Sequence, residues 1–305
     1  MTAGERIAVV LFGPRGEGGF NAAGQAGAER ARRLVPALEV HWCEPPADRA
    51  VWLADLCARG YDLVVAHGGQ GDAPVAAVAP AFPATRFVVT QGSRPAANVA
   101  TYEALQEQSA YLAGVLAASL TRSGVVAHMS GERVRPGLKG RAAFADGVRR
   151  TRPEVRLLTC FCGNQHDADL AYRVVAAQAD AGADVLFAMI DGGRAGAIRA
   201  CRERGVAQIG NVFDWTAREP DVFVASAIAD SGACIEAAVR DHLDGTLAPG
   251  TQRSFGLAAP DIVRLALRPG VAAAAADAVA RAEAALRSGA VVPADEYDGA
   301  EMAPP

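Results

Sequence analysis

Lysine is almost missing from this chain of 305 residues: Lys139 stands alone among 30 basic residues. That scarcity excludes several chemistries. A phosphate-cradling P-loop needs Gly-Lys-Ser/Thr, and Lys139 precedes Gly140 instead. A short-chain dehydrogenase needs Tyr-x-x-x-Lys, and Arg135 occupies the tyrosine position. Schiff-base catalysis has only this one amine to use. With alanine and glycine abundant, arginine in place of lysine reads as the codon bias of a GC-rich genome. Cys-x-x-Cys is also lacking. Cys43, Cys57, Cys160, Cys162, Cys201 and Cys234 are scattered, and Cys160-Phe-Cys162 falls in a strand-like run. They read as small core residues rather than metal ligands, and slightly favour a reducing compartment. His41, His67, His128, His166 and His242 show no His-Glu-x-x-His spacing, and no Gly-x-Ser-x-Gly elbow occurs. No apolar run reaches the roughly 18 residues of a membrane span. The opening MTAGERIAVV lacks the apolar core of a signal peptide, so either a leader was removed, or the start codon is misplaced, or the protein stays in the cytoplasm. A net charge of −4 with interspersed signs offers no basic face to nucleic acid.

What is present is a regular α/β alternation in a chain that is 51% hydrophobic, ample for two lobes. Strands are expected at 6–12, 38–42, 62–67, 86–91, 124–129, 155–161, 184–190, 206–210 and 221–226. Helices are expected near 20–34, 47–59, 72–80, 103–121, 139–150, 166–181, 193–204, 230–244 and 271–288. One frame recurs: Gly60-Tyr61-Asp62 and Gly182-Ala183-Asp184 each lead into three apolar residues and an alanine. The repeat argues for two similar lobes, each a parallel sheet flanked by helices, with a hinge and a cleft between lobes. The expected division is 1–121 plus about 228–260 against 122–227 plus about 261–290, with 291–305 a loose tail. Helix 103–121 is the first crossing, and 245–270 holds a later one.

The densest information lies in RIAVVLFGPRGEGGFNAAG. A buried strand ends at Phe12, a glycine-rich turn follows, and Phe20-Asn21 opens a helix. Ligands of open α/β sheets bind at that carboxyl edge. Glu17 would place a carboxylate where a dinucleotide's pyrophosphate needs bare N–H groups, so a nicotinamide site is not expected. The polar and aromatic residues just past strand ends are Glu17, Phe20, Asn21, His67, Gln70, Gln91, Asp191, Phe213, Asp214 and Trp215, with Ser93 beside them. They supply donors, acceptors and flat rings but no nucleophile–base pair. That is the makeup of a binding cleft without cofactor or catalysis. His67 could equally be a residue that only bonds its own loop.

The chain resembles the basic membrane protein (BMP) family over about residues 6–290. The marks are Gly18-Gly19-Phe20-Asn21, Phe82-Pro83-Ala84-Thr85-Arg86-Phe87, Gln106-Glu107-Gln108-Ser109-Ala110-Tyr111-Leu112-Ala113-Gly114, Ile209-Gly210-Asn211-Val212-Phe213-Asp214, Ala225-Ser226 and Asp244-Gly245-Thr246. These are substrate-binding proteins of ABC transporters, purine-nucleoside receptors among them, with the type I periplasmic-binding fold. The resemblance implies an extracytoplasmic, periplasmic or lipid-anchored receptor that closes on its ligand and presents it to a membrane permease and its ATPase. It implies that Phe20 stacks on a purine-like ring, that Asn21 bonds to it, and that Asp214 faces the ligand. Where the family usually has Asp, this chain has Glu17 and Gln91, and the lysine the family often has near Ala229 is missing. Those changes point away from an ordinary nucleoside and toward a free nucleobase or another flat polar heterocycle. Two rival readings are a ligand-sensing regulator of the same fold and, behind it, a purine-catabolic enzyme.

Overall fold

A computed structural model describes residues 5–13, 15, 19–44 and 48–305. Within them the chain runs β1 (Ile7–Phe12), α1 (Phe20–Arg32), β2 (Glu39–Cys43), α2 (Arg49–Cys57), β3 (Leu63–His67), α3 (Asp72–Val78), β4 (Arg86–Thr90) and β5 (Val99–Ala104). It continues through α4 (Gln106–Leu120), β6 (Val125–Ser130), α5 (Arg135–Thr151), β7 (Arg156–Phe161), α6 (Ala168–Asp180), β8 (Val185–Met189), α7 (Arg194–Arg204), β9 (Ala207–Asn211) and β10 (Phe223–Ala229). It finishes with α8 (Ser231–Leu243), β11 (Gln252–Phe255), β12 (Val263–Leu267) and α9 (Ala273–Arg287).

The chain divides into two compact units. One holds the chain up to Ala104 together with Asp230–Phe255, and the other holds Leu105–Ala229 and Gly256–Pro305. The first carries a six-stranded sheet in the order β11-β5-β4-β3-β1-β2, the second one in the order β12-β10-β9-β8-β6-β7. Equivalent positions match strand for strand, as the repeated Gly-x-Asp frame led us to expect. Both sheets are parallel except at one edge, where β12 runs antiparallel to β10. The repeated aspartates do the same work in each unit. Asp62 accepts from Arg6 N at 2.7 Å ahead of β1, and Asp184 accepts from Arg122 N and Ser123 N at 2.8 and 2.9 Å ahead of β6.

The inner strands are buried on both faces, which explains their unbroken apolar runs. Asp48, Asp167 and Asp230 cap α2, α6 and α8 by accepting from main-chain N–H groups of the first turn. All six cysteines are buried and unpaired. Burial pushes the thiols of Cys57 and Cys160 up to about 11 and that of Cys201 to about 12, as befits core residues. Helix α4 belongs wholly to the second unit, not to the first lobe as its expected boundary at 121 implied. The reason is its contact with α5. Backbones meet so closely there that a Cβ on Gly114 would overlap Phe144 O, and one on Gly147 would overlap Tyr111 O. Gly114→Ala is therefore expected to destabilise the protein by about 1–3 kcal/mol, read as a lower urea midpoint at unchanged slope.

The expected loose tail is also corrected. Ala294 N donates to Asp146, and Met302 N donates to Thr159 O at 2.8 Å. The Glu301 carboxylate lies between Arg133 and Arg141, and the Arg141 guanidinium sits 4.7 Å from the Tyr297 ring centre. The segment thereby covers the exposed side of β7, an edge strand that would otherwise offer unpaired N–H and C=O groups.

Candidate ligand site

At the carboxyl edge of the first unit's sheet, three strand ends build one cluster. Phe20 is the first residue of α1 and is half-buried. Its ring stacks on His67, at the end of β3, with centroids 4.3 Å apart and planes 19° from parallel. His67 is completely buried and is held from both sides: Nε2 lies 3.1 Å from Phe20 O, and Nδ1 lies 2.9 Å from Thr90 Oγ1. Gly68 N in turn donates to Thr90 Oγ1 at 3.0 Å. The chain of donors is self-consistent with a neutral ring. Gly68 N–H gives to Thr90, the Thr90 hydroxyl gives to Nδ1, and Nε2–H gives to the Phe20 carbonyl. Burial holds the imidazole well below its ordinary range, down to about 4, so this neutral form persists.

His67 therefore cannot offer a ring nitrogen to a ligand. It presents Phe20 instead, the structural role left open by the sequence. Asn21 Nδ2 donates to Phe12 O at 3.0 Å, which fixes the orientation of the amide. Its Oδ1 is buried and has no hydrogen-bond partner. An orphaned acceptor beside an oriented ring asks for an N–H donor. Gln70 is exposed on the turn after Gly68, and a Cβ on Gly68 would collide with both Gln70 Oε1 and the Phe20 ring edge. Gln70 thus stands at the edge of the same ring.

Gln91 departs from expectation. It is 6% exposed, at a left-handed φ of 54°, and both ends of its amide are spent on Ala104. Oε1 accepts from Ala104 N at 2.7 Å and Nε2 donates to Ala104 O at 3.2 Å. The side chain continues the β4–β5 ladder past the last strand residue, so it shapes the edge rather than meeting a ligand. Ser93 likewise closes a loop, giving its N–H and hydroxyl to Asp72. Glu17 lies outside the described residues.

The second unit has its own cluster at the ends of β8 and β9. Phe213 N donates to Asn211 O at 2.8 Å across Val212, whose φ is 68°. This is a γ-turn of the rare positive-φ kind, strained for a β-branched residue. Trp215 locks the turn from behind. Its Nε1 donates to Asn211 O at 3.1 Å, its N donates to Ser226 Oγ at 2.9 Å, and its ring stacks on Phe223 at 5.7 Å. Gly210 leaves no room for a side chain beneath that ring. Phe213 is half-buried. Asp214 is exposed, and its Oδ1 accepts from Thr216 N and Oγ1 at 3.0 and 2.6 Å. Asp191 is half-exposed in the turn after β8, and its charge steadies the neighbouring Arg194.

Arg194 was not among the residues singled out from sequence. It is 4% exposed, and its guanidinium lies 4.5 Å from the Trp215 ring centre. Nη2 donates to Ile190 O and, at 2.6 Å, to Asn211 Oδ1. Nothing in Gly192-Gly193-Arg194 marks an arginine for burial, so only the tertiary structure reveals it.

Residues 5–282 match the family described as ABC transporter substrate-binding protein PnrA-like. The chain belongs to this family. The family is that of substrate-binding proteins of ABC transporters. This PnrA-like chain is 23% identical over 245 residues, 79% of its length and 69% of the relative's, to a purine-binding protein of Brucella abortus strain 2308. It is 22% identical over 198 residues to the transcriptional activator protein med of Bacillus subtilis strain 168, spanning 65% of this chain and 62% of that one. Its fold matches a solute-binding protein of an ABC transporter system from Aeropyrum pernix K1 with a TM-score of 0.84, at 20% identity, covering 96% and 94% of the two chains. The type I periplasmic-binding fold that the resemblance to the basic membrane protein family implied is thereby established. Among the described residues no helix is long and apolar enough to cross a membrane.

Proposed function

We propose that this protein takes up a small, flat, polar heterocycle, a purine nucleobase or nucleoside-like solute, as the receptor of an ABC importer. The observation that carries this reading is the Phe20–Asn21 pair. The Phe20 ring stacks on a buried neutral histidine, and the adjacent Asn21 Oδ1 awaits an N–H donor. Purines supply both a π-face and ring N–H groups. The purine-binding Brucella relative supports the same class. Phe213, Asp214, Trp215, Gln70 and Asp191 are the further residues proposed to serve the ligand. The partners are the small molecule and the permease and ATPase of the importer.

A thermal-shift screen of nucleobases, nucleosides and related heterocycles tests the proposal. A selective ligand at a hundredfold excess over its Kd stabilises the folded state by about 2.7 kcal/mol. Phe20→Ala is expected to weaken that ligand by about 1–3 kcal/mol, by analogy with base–aromatic stacking, while leaving the fold intact. Unchanged affinity in the titration of this variant would remove Phe20 from the site. The Bacillus subtilis activator favours one second reading, a ligand-sensing regulator of the same fold. Reconstituted transporter separates the two, because an importer's receptor stimulates its cognate ATPase when loaded and a regulator does not.

A further inference from the structure

Arg194 is buried at the wrong end of a helix. It opens α7, where the helix dipole is positive, and burial lowers its guanidinium to about 10. Its Nη1 has no hydrogen-bond partner. Asp191 is the acidic group whose charge supports it, while Arg218 approaches the same Trp215 ring from 5.3 Å. A residue kept only to fill this space would be better apolar, since a buried charge returns little net stability. What the guanidinium does is join three pieces of the second unit: the end of β8 through Ile190 O, the end of β9 through Asn211 Oδ1, and the Trp215 ring. Those pieces flank the strained turn at Val212 that carries Phe213 and Asp214.

We infer that Arg194 is a positioning residue, a clamp that holds the Asn211–Trp215 loop in the one shape that accepts the ligand. The inference rests on the reading of Phe213 and Asp214 as ligand-facing groups. A left-handed valine persists only where its surroundings over-determine it. Here Asn211 is gripped at both its side chain and its carbonyl, by Arg194 and Trp215 respectively. Lysine cannot replace the clamp: Nη2 alone serves both acceptors, but an ammonium lacks the planar face that the guanidinium lays against the Trp215 ring.

The test uses Trp215 as its own reporter, in a Trp42→Phe, Trp52→Phe background that leaves it the only tryptophan. Arg194→Met, Arg194→Lys and Asn211→Ala are compared with this parent by acrylamide quenching, by melting without ligand, and by titration with the heterocycle found in the screen. The clamp predicts greater quenching of Trp215 and about tenfold or more weaker binding in all three, out of proportion to any loss of melting temperature. Asn211→Ala removes only one acceptor and so keeps the test alive if the buried arginine proves necessary for folding. Quenching and affinity both within about twofold of the parent would overturn the inference. If no heterocycle binds the parent, the ligand reading falls on its own, and the quenching comparison still decides whether Arg194 orders the loop.

Discussion

Lowering the pH from about 7 to about 4 is expected to remove most of the folding stability, through two histidines sealed away from solvent. His67 and His128 are both completely buried inside their sheets. Burial lowers them from 6.5 to about 4 and about 3, respectively. His128 Nδ1 lies 2.9 Å from Thr159 Oγ1 and Nε2 lies 3.0 Å from Ser130 Oγ, amid the rings of Phe144, Phe161 and Phe187. Between pH 6.5 and the folded values, the unfolded chain holds protons that the native chain refuses. Stability therefore rises with pH across that window and falls as acid is added. At about 1.36 kcal/mol per unit, the cost by pH 4 is about 3 kcal/mol for each ring, and for His128 it goes on growing as the pH falls toward 3. Sums of that size rival the whole stability of an ordinary domain. Asp184 acts in the same direction lower down. Burial raises it, but the donors from Thr121, Ser123 and Arg122 win and hold it below its ordinary range, so its contribution goes as pH falls through that lowered value. Urea midpoints measured across this pH range check the prediction, with His128→Gln expected to flatten the curve. A midpoint independent of pH between about 7 and 4.5 would mean that neither ring is protonated more easily in the unfolded chain.

The same two histidines show what the sequence revealed and what it withheld. Apolar runs bounded by turns located β1, β3, β4 and β6 to β10, because parallel strands buried on both faces need unbroken apolar runs. The repeated Gly-x-Asp frame disclosed two matching units because its aspartates cap equivalent strands. Strand β5 escaped notice since Thr101, Tyr102 and Glu103 read as surface residues. Only the fold supplies Asp241 for the Tyr102 hydroxyl and Gln252 for Glu103. Strands β11 and β12 were hidden in the 245–270 crossing for a related reason: they are short edge strands with arginines in them. At the site, Phe20 and Asn21 were legible because position after a first strand is a topological fact. The duties of His67 and Gln91 were not, since each is set by a backbone group far along the chain, Phe20 O in one case and Ala104 in the other. Arg194 left no trace, because a buried arginine and a surface arginine look alike in a helix's first turn.

His67→Ala joins stability to binding and is the second large effect expected. The substitution deletes a fully buried ring against which Gly24 packs, where a Cβ would already overlap the imidazole. It also removes the ring donor to the Phe20 carbonyl and leaves the Thr90 O–H without its acceptor. Loss of a buried aromatic side chain costs about 3–5 kcal/mol, and an unmatched buried polar group adds to that. The functional consequence runs through Phe20, which keeps its place in sequence but loses the surface behind its ring. Ligand affinity should then fall nearly as far as in Phe20→Ala, although His67 itself never meets the ligand. Two conservative variants separate the causes. His67→Gln retains a donor for Phe20 O but no stacking face, whereas His67→Phe retains the face and loses both hydrogen bonds. If bracing of the ring is what matters, His67→Phe binds the better of the two despite its unsatisfied neighbours. Binding that follows the hydrogen bonds instead would show that the carbonyl of Phe20, and with it the start of α1, is the feature that His67 fixes. Affinity unchanged in all three would mean that Phe20 stands without support, and the assignment of His67 as its brace would be wrong.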